Sequence, residues 1–316
     1  MEYRRLGKSG LQVSVLSFGS WVTFGAQVGD DTAEKCMKLA YDNGVNFFDN
    51  AEAYASGKSE EVMGRILKKM EWPRSSYAVS TKVFWGGKLP MQSGLSRKHI
   101  FDACHAGLKK LNVDHLDLYF CHRPDPNTPI EETVWAMHDL VSQGKVIYWG
   151  TSEWSAEQLT FAYEFAEKNR LHAPTMEQPQ YNLFERKRFE EEYAPLYRER
   201  GMGTTIWSPT ASGLLTGKYD NGLRTDTRVD RPGMEWLKGR LTEEKLKVAK
   251  EFSDFARRLG TTPACLAIAW VVKNPFVSTA ILGASHVSQL EENLKALDTL
   301  PLLTEDVMKE IDLIFK

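Results

Sequence analysis

The sequence contains no long hydrophobic run: nothing in it approaches the ~18 consecutive apolar residues of a membrane helix. It lacks charge of one sign as well. Its 316 residues carry 40 Lys and Arg against 42 Asp and Glu, a formal net charge of −2. That balance gives no basic field for nucleic acid or anionic lipid, so neither partner is expected. The opening MEYRRLGKSGL has no apolar core of a secretory leader, and the expected location is cytoplasmic. Cysteine is sparse. Cys36, Cys104, Cys121 and Cys265 are scattered without a C-x-x-C pair, which points to reduced, buried thiols. Cys121 adjoins His122, but strand alternation turns neighbours to opposite faces, against a thiol nucleophile.

Several motifs are missing, and each absence narrows the chemistry. There is no H-E-x-x-H, and the seven histidines fall at no ligand spacing with cysteine, so no metal is expected. The G-x-S-x-G elbow of the α/β-hydrolases is absent. So are the G-x-G-x-x-G fingerprint and the P-loop. GLLTGKY (213–219) imitates a P-loop, but only three residues separate Gly213 and Gly217, and Tyr219 follows the lysine. A nucleotide bound by this chain needs another device.

What the chain does have is alternation. Short apolar or β-branched runs at 13–19, 45–49, 77–82, 116–122, 146–152, 175–178, 204–207 and 278–283 read as strands. Helical patterns lie between and after them, at 32–43, 59–70, 97–111, 130–144, 155–169, 186–200, 242–259 and 288–297. Ser96 and Ser155 stand at helix starts, and Gly44 and Gly144 just past helix ends. The β-to-β spacing of roughly 30–40 residues suits a strand, a crossover helix and two loops. Length alone would allow two domains, but eight β/α units without a composition break predict one closed (β/α)8 barrel over 1–316. EYRRLGKSGLQVS reads as a hairpin turning at KSG and plugging the bottom of the barrel. Two irregular segments, 84–96 and 210–233, follow strand ends. In a barrel that is the face where sites are built, so both are expected to serve substrate or cofactor.

Four polar residues sit at or just past strand ends: Asp49 and Tyr54 in FFDNAEAY, Lys82 in AVSTK and His122 in LDLYFCH. Singly, each has a plain structural role available. Together they make a proton-transfer site. A tyrosine hydroxyl, with an ordinary pKa of about 10, is a poor acid at neutral pH. An adjacent ammonium favours the phenolate, and an aspartate keeps that ammonium charged and oriented. His122 would hydrogen-bond the substrate oxygen or relay its proton. Such a donor beside a carbonyl needs an electron source. WSPTASGLLTGKY (207–219) offers an aromatic, small residues and Lys218, and ILGASHVSQLEEN (281–293) sets Gly283 and Ser285 before a helix. A helix N-terminus with small neighbours favours a phosphate. Lys218, Arg228, Ser285 and Gln289 together would hold an adenosine 2′-phosphate and select NADP over NAD.

These motifs, together with GSWVTFG, DNAEAYASGKSE, STKVFWGGK, GLSRKHI, HRPDPNTPIEET and YWGTSEWS, resemble the aldo-keto reductases over nearly the whole chain. HRPDPNTPIEET and FWGGK resemble the potassium-channel beta-subunit branch in particular. The resemblance implies a (β/α)8 barrel that binds NADPH in extended form and transfers hydride to an aldehyde or ketone. It implies Asp49, Tyr54, Lys82 and His122 as the catalytic set, with the tyrosine as acid. Ser152 and Gln178 are then expected to hold the carboxamide and Trp207 to stack on the nicotinamide. Ser208, Lys218, Arg228, Gly283, Ser285, Gln289, Glu292 and Asn293 would line the pyrophosphate and adenosine. Trp21 and Trp85 would wall the pocket over the nicotinamide. Two departures stand out. Animal channel subunits of that branch carry Asn where this chain has His122, the usual reductase choice. Many members carry Asn where this chain has Glu153, and a carboxylate has no donor to offer a carboxamide oxygen. The expectation is therefore a working reductase acting on a small-molecule carbonyl. The alternative is a cofactor-sensing auxiliary subunit of an ion channel, and in either case a homotetramer would follow the branch.

Overall fold

The computed structural model describes residues 1–21, 24–25, 29–222, 239 and 241–316. The chain opens with two short antiparallel strands, β1 (Tyr3–Arg5) and β2 (Gln12–Ser14), paired with Arg4 opposite Val13. Eight parallel strands follow: β3 (Leu16–Gly19), β4 (Phe47–Asp49), β5 (Ala78–Val83), β6 (Leu116–Cys121), β7 (Val146–Thr151), β8 (Met176–Glu177), β9 (Gly203–Trp207) and β10 (Thr279–Leu282). They close a barrel in chain order, with β10 between β9 and β3. This is the expected (β/α)8 barrel, and each of its strands falls within one residue of a sequence-predicted run.

Around the barrel lie α1 (Asp30–Asp42), α2 (Lys58–Met70), α3 (Arg97–Leu111), α4 (Ile130–Ser142), α5 (Ala156–Lys168), α6 (Ala194–Glu199), α7 (Glu243–Arg258), α8 (Pro263–Lys273), α9 (Val287–Leu294) and α10 (Glu305–Ile314). Ser96 caps α3 by accepting from the His99 amide, and Ser155 caps α5 in a reciprocal box with Gln158. Gly44 and Gly144 adopt the left-handed conformation past their helices, at φ 86° and 68°. The pattern at 186–200 predicts one helix, but the chain forms a wide π turn at Arg188–Glu192 and then α6. Pro195 opens α6, which suits a first helical turn and not a continuous interior. Helices α8 and α10 are additions to the predicted set. Pro263–Val272 is buried on every side, so α8 has no polar face and shows no 3.6-residue period.

The barrel interior is a packed core. Phe47, Ala78, Leu118, Phe120, Met176 and Ile281 fill it, and the hairpin adds Leu6 and Val13 from below. Leu6 and Val13 are fully buried. Each such side chain contributes roughly 1.5–3 kcal/mol by leaving water. The hairpin's seat is tight: a Cβ on Gly7, at φ 57°, would lie 2.2 Å from the Gly201 oxygen. The Lys8 amide donates to that oxygen at 2.9 Å, just before β9 begins. The plug closes the N-terminal end of the strands and leaves the C-terminal end for the site. The four cysteines are buried and unbonded. No described helix is long and apolar enough to cross a membrane.

Candidate active site

Phe120, near the end of β6, forms the floor of the C-terminal mouth, with the Lys82 ammonium 5.8 Å from its ring centroid. Lys82 is fully buried, and three oxygens surround its Nζ. It donates to Asp49 Oδ2 at 2.6 Å, to the Asn50 carbonyl at 2.6 Å and to the Tyr54 hydroxyl at 3.3 Å. Asp49 is fixed in turn: its Oδ1 accepts from Ser80 Oγ at 2.8 Å and from Gln178 Nε2 at 3.2 Å. Breaking a buried pair of this kind by removing one partner is costly, because the other is left without compensation. Burial lowers the Lys82 pKa, and the Asp49 carboxylate opposes that shift.

Tyr54 arrives on a short turn. Its amide donates to the Ala51 carbonyl, and three left-handed residues follow it, Ala55, Ser56 and Gly57. Strain of this kind collects where side-chain placement matters. Burial raises the phenol pKa well above its ordinary value, Asp49 adds to the rise, and Arg123 opposes it. The net shift in the free protein is therefore upward, opposite to the lowered value expected from sequence, because burial dominates. The hydroxyl is stored protonated. His122 stands one residue past β6, its amide held by the Val83 carbonyl at 3.0 Å. Its ring lies edge-on to Tyr54 with centroids 5.7 Å apart. Burial, with the nearby Lys82 and Arg123 charges, pushes its pKa well below 6.5, so the imidazole is neutral. Its Nδ1 is buried and has no partner among the described residues.

Trp85 covers this group. Its ring centroid lies 5.0 Å from that of His122, and 46% of its surface is exposed. Its loop is folded, not slack. Glu52 accepts from the Phe84 amide at 2.6 Å and faces His99 at 3.4 Å, while Asp125 accepts from the Leu95 amide at 2.8 Å. Trp21, half-buried, follows Ser20, whose amide and hydroxyl both donate to the Asp49 carbonyl.

The expected nucleotide residues fall at the ends of β7, β8, β9 and β10. Ser152 Oγ donates to the Gln178 carbonyl at 2.8 Å, and Gln178 links to the tetrad through Asp49. Trp207 closes β9. Ser208, Ala211, Ser212 and Gly213 all take left-handed conformations behind it, and the Ser212 amide donates to Ser208 Oγ at 2.7 Å. Gly213, at φ 91°, takes a conformation that favours glycine, and the Lys218 side chain passes close over it. Gly283 is exposed. Ser285 donates to Gln289 Oε1 from both its amide and its hydroxyl, at 2.9 and 3.0 Å. Helix α9 begins just beyond, without a side-chain cap. Glu292 meets Cys265 through its backbone oxygen, and Asn293 lies one residue further along α9. Arg228 lies outside the described residues.

Residues 15–316 match the Aldo/keto reductase family profile. The chain belongs to the aldo/keto reductase family. Two curated relatives are each called a probable voltage-gated potassium channel subunit beta. One, from Arabidopsis thaliana, is 49% identical over 314 residues, covering 99% of this chain and 96% of the relative. The other, from Oryza sativa subsp. japonica, is 48% identical over the same extent. In this aldo/keto reductase family member, two residues of the mouth have uses that the sequence did not display. Arg123 follows His122, and its guanidinium lies 5.5 Å from the Trp85 ring centroid. Alternation would have turned it away, but β6 ends at Cys121 and the rule ends with it. Glu153, at φ 60°, accepts from the Trp207 indole at 2.9 Å, from the Gln180 amide at 2.7 Å and from Arg188 at 2.8 Å. A carboxylate suits that place because all three partners are donors. Among the described residues there is no group of three or more metal-ligating side chains.

Proposed function

We propose that this protein is an NADPH-dependent reductase of aldehydes or ketones. The observation that carries the reading is the buried Asp49–Lys82–Tyr54 chain with neutral His122 edge-on to the phenol. The residues of the mouth also suit the cofactor: an indole fixed at the rim, left-handed small residues after β9, and a helix N-terminus without a side-chain cap after β10. Ser152, Gln178 and Trp207 would hold the nicotinamide. Ser208, Lys218, Gly283, Ser285, Gln289, Glu292 and Asn293 would hold the rest, with Arg228. When bound, NADPH supplies the hydride that forms the new C–H bond at the carbonyl carbon.

The chain's own residues handle the oxygen. As the C=O pair moves onto oxygen, the Tyr54 hydroxyl gives it a proton and the product leaves as the alcohol. A phenol with a raised pKa is a reluctant acid, so the phenolate it leaves must be stabilised at that moment. Lys82 does this from 3.3 Å, held in place by Asp49. Neutral His122 keeps one N–H, which orients the carbonyl oxygen without competing as an acid.

A second reading, an auxiliary subunit that senses cofactor with little turnover, is favoured by what the two relatives are called. Assay of a carbonyl panel with NADPH and NADH separates the two. The reductase reading expects turnover of at least one aldehyde with NADPH. Lys218→Ala should weaken NADPH far more than NADH, by about 1.5–3 kcal/mol for a lost charge-assisted contact. Tight NADPH binding with no turnover of any carbonyl leaves the subunit reading, and equal loss for both cofactors removes Lys218 from the 2′-phosphate.

A further inference from the structure

Most described charges beside the reacting group are paired with an opposite one. Asp49 is matched by Lys82, and Glu153 by Arg188. Glu52 faces His99, whose pKa is raised by that carboxylate against the effect of burial. Arg123 is half-buried beside them, and among the described residues it bonds only neutral groups. Its Nη1 donates to the His122 carbonyl and, at 3.2 Å, to Ser152 Oγ, and its face lies against Trp85. Among the described residues no carboxylate pairs with it. Its charge is felt by Tyr54, Lys82 and His122 alike, so it lies within reach of the reacting group. A half-buried cation without a counter-ion draws anions into a cleft, and a guanidinium edge fits a planar carboxylate.

Barrel order decides whose anion this is. The expected phosphate-holding residues follow β9 and β10, whereas Arg123 follows β6, diametrically across the barrel from β10. Its neighbours, Tyr54, Trp85 and His122, come from the loops after β4, β5 and β6, where the reducible carbonyl must sit. The exposed Trp85 ring offers a flat apolar wall beside the guanidinium.

We propose that Arg123 is a specificity residue that anchors a carboxylate on the substrate, so that the preferred substrates are aldehydes or ketones bearing a carboxylate and a short apolar or aromatic spacer. This rests on the reductase reading for the carbonyl, but the anion site can be tested without it.

Two isosteric pairs make the experiment. The first is 4-carboxybenzaldehyde and 4-nitrobenzaldehyde, assayed with NADPH in wild type, Arg123→Met and Arg123→Lys. The expected result is a fall of about ten- to a hundredfold in the carboxylate-to-nitro ratio of kcat/KM in Arg123→Met, carried mainly by KM. Arg123→Lys should recover part of that ratio, because a point charge remains. The second pair is the corresponding alcohols, 4-carboxybenzyl and 4-nitrobenzyl, titrated calorimetrically into the same proteins with NADP⁺. Binding of the carboxylate that is lost in Arg123→Met supports the anchor even when no aldehyde is turned over, in which case only the reductase reading falls. A ratio unchanged in Arg123→Met, or carboxylate binding that survives the substitution, overturns the proposal. Thermal unfolding of Arg123→Met reports whether it folds. If it does not, Arg123→Lys and the salt dependence of carboxylate binding in wild type carry the same comparison: weakening by salt supports the anchor, and indifference to it overturns it.

Discussion

Glu153 illustrates how a single residue can be misjudged from sequence and resolved by geometry. As a replacement for a carboxamide-binding asparagine it looks like a loss, because a carboxylate cannot donate. In the structure it gathers three donors, including the Trp207 indole. Its left-handed backbone, at φ 60°, turns the side chain towards that rim. Glu153→Ala should release Trp207. The Trp207 indole N–H resonance, assigned by its disappearance in Trp207→Phe, should move upfield in the cofactor-free protein. NADPH affinity should fall by about 1.5–3 kcal/mol, the worth of a hydrogen bond to a charged group. An unmoved resonance would show that Glu153 does not set the indole. The gathering of the four was readable because acid, amine and imidazole stand at or next to strand ends and the phenol on the turn after β4. The phenol's pKa direction was not, since it depends on enclosure by residues distant in sequence.

Among the elements, strands were the easier to read. They are short apolar runs closed by Asp, Gly or polar residues, and their register needs only chain order. Helices α8 and α10 escaped for a physical reason in the first case at least: a helix buried all round has no amphipathic stripe. The segment after β5 is the element with most bearing on the site, because it carries Trp85. It is tied down by the Glu52–His99 pair, which is nearly enclosed, at 9% and 4% exposure. Burial alone would lower the His99 pKa, but the Glu52 carboxylate and the Gly94 carbonyl outweigh it and hold it above 6.5. The unfolded chain therefore releases this proton first as pH rises. The pair's contribution is complete below the ordinary histidine value and is lost as pH climbs through the folded one. Urea unfolding across pH should show the gap between wild type and His99→Gln widest on the acid side and narrowing towards alkaline pH. A gap of constant size would mean that His99 acts by packing alone.

At the scale of the whole molecule the barrel separates stability from chemistry. The hairpin fills one end with Leu6 and Val13, and every expected site residue among those described lies at or beyond the other end. Leu6→Ala should cost about 2–5 kcal/mol by leaving a cavity in the core at the hairpin end of the barrel. It should lower the unfolding midpoint by several degrees while NADPH affinity stays within about threefold, a pairing that calorimetry and cofactor titration can check. Barrel closure was legible from eight repeated β/α units. Which charges meet around the mouth was not, because Glu153 finds Arg188 and His99 finds Glu52 across long stretches of sequence, and the setting of Arg123 shows only once its neighbours are placed.

In the proposed reaction Tyr54 is the proton donor of a carbonyl reduction. The most direct measurement is NADPH oxidation by an aldehyde in wild type and Tyr54→Phe, with cofactor affinity measured on both. Wild type should turn over, Tyr54→Phe should lose at least about a hundredfold in kcat, and NADPH binding should stay within about threefold. Equal turnover by the two proteins would contradict that role.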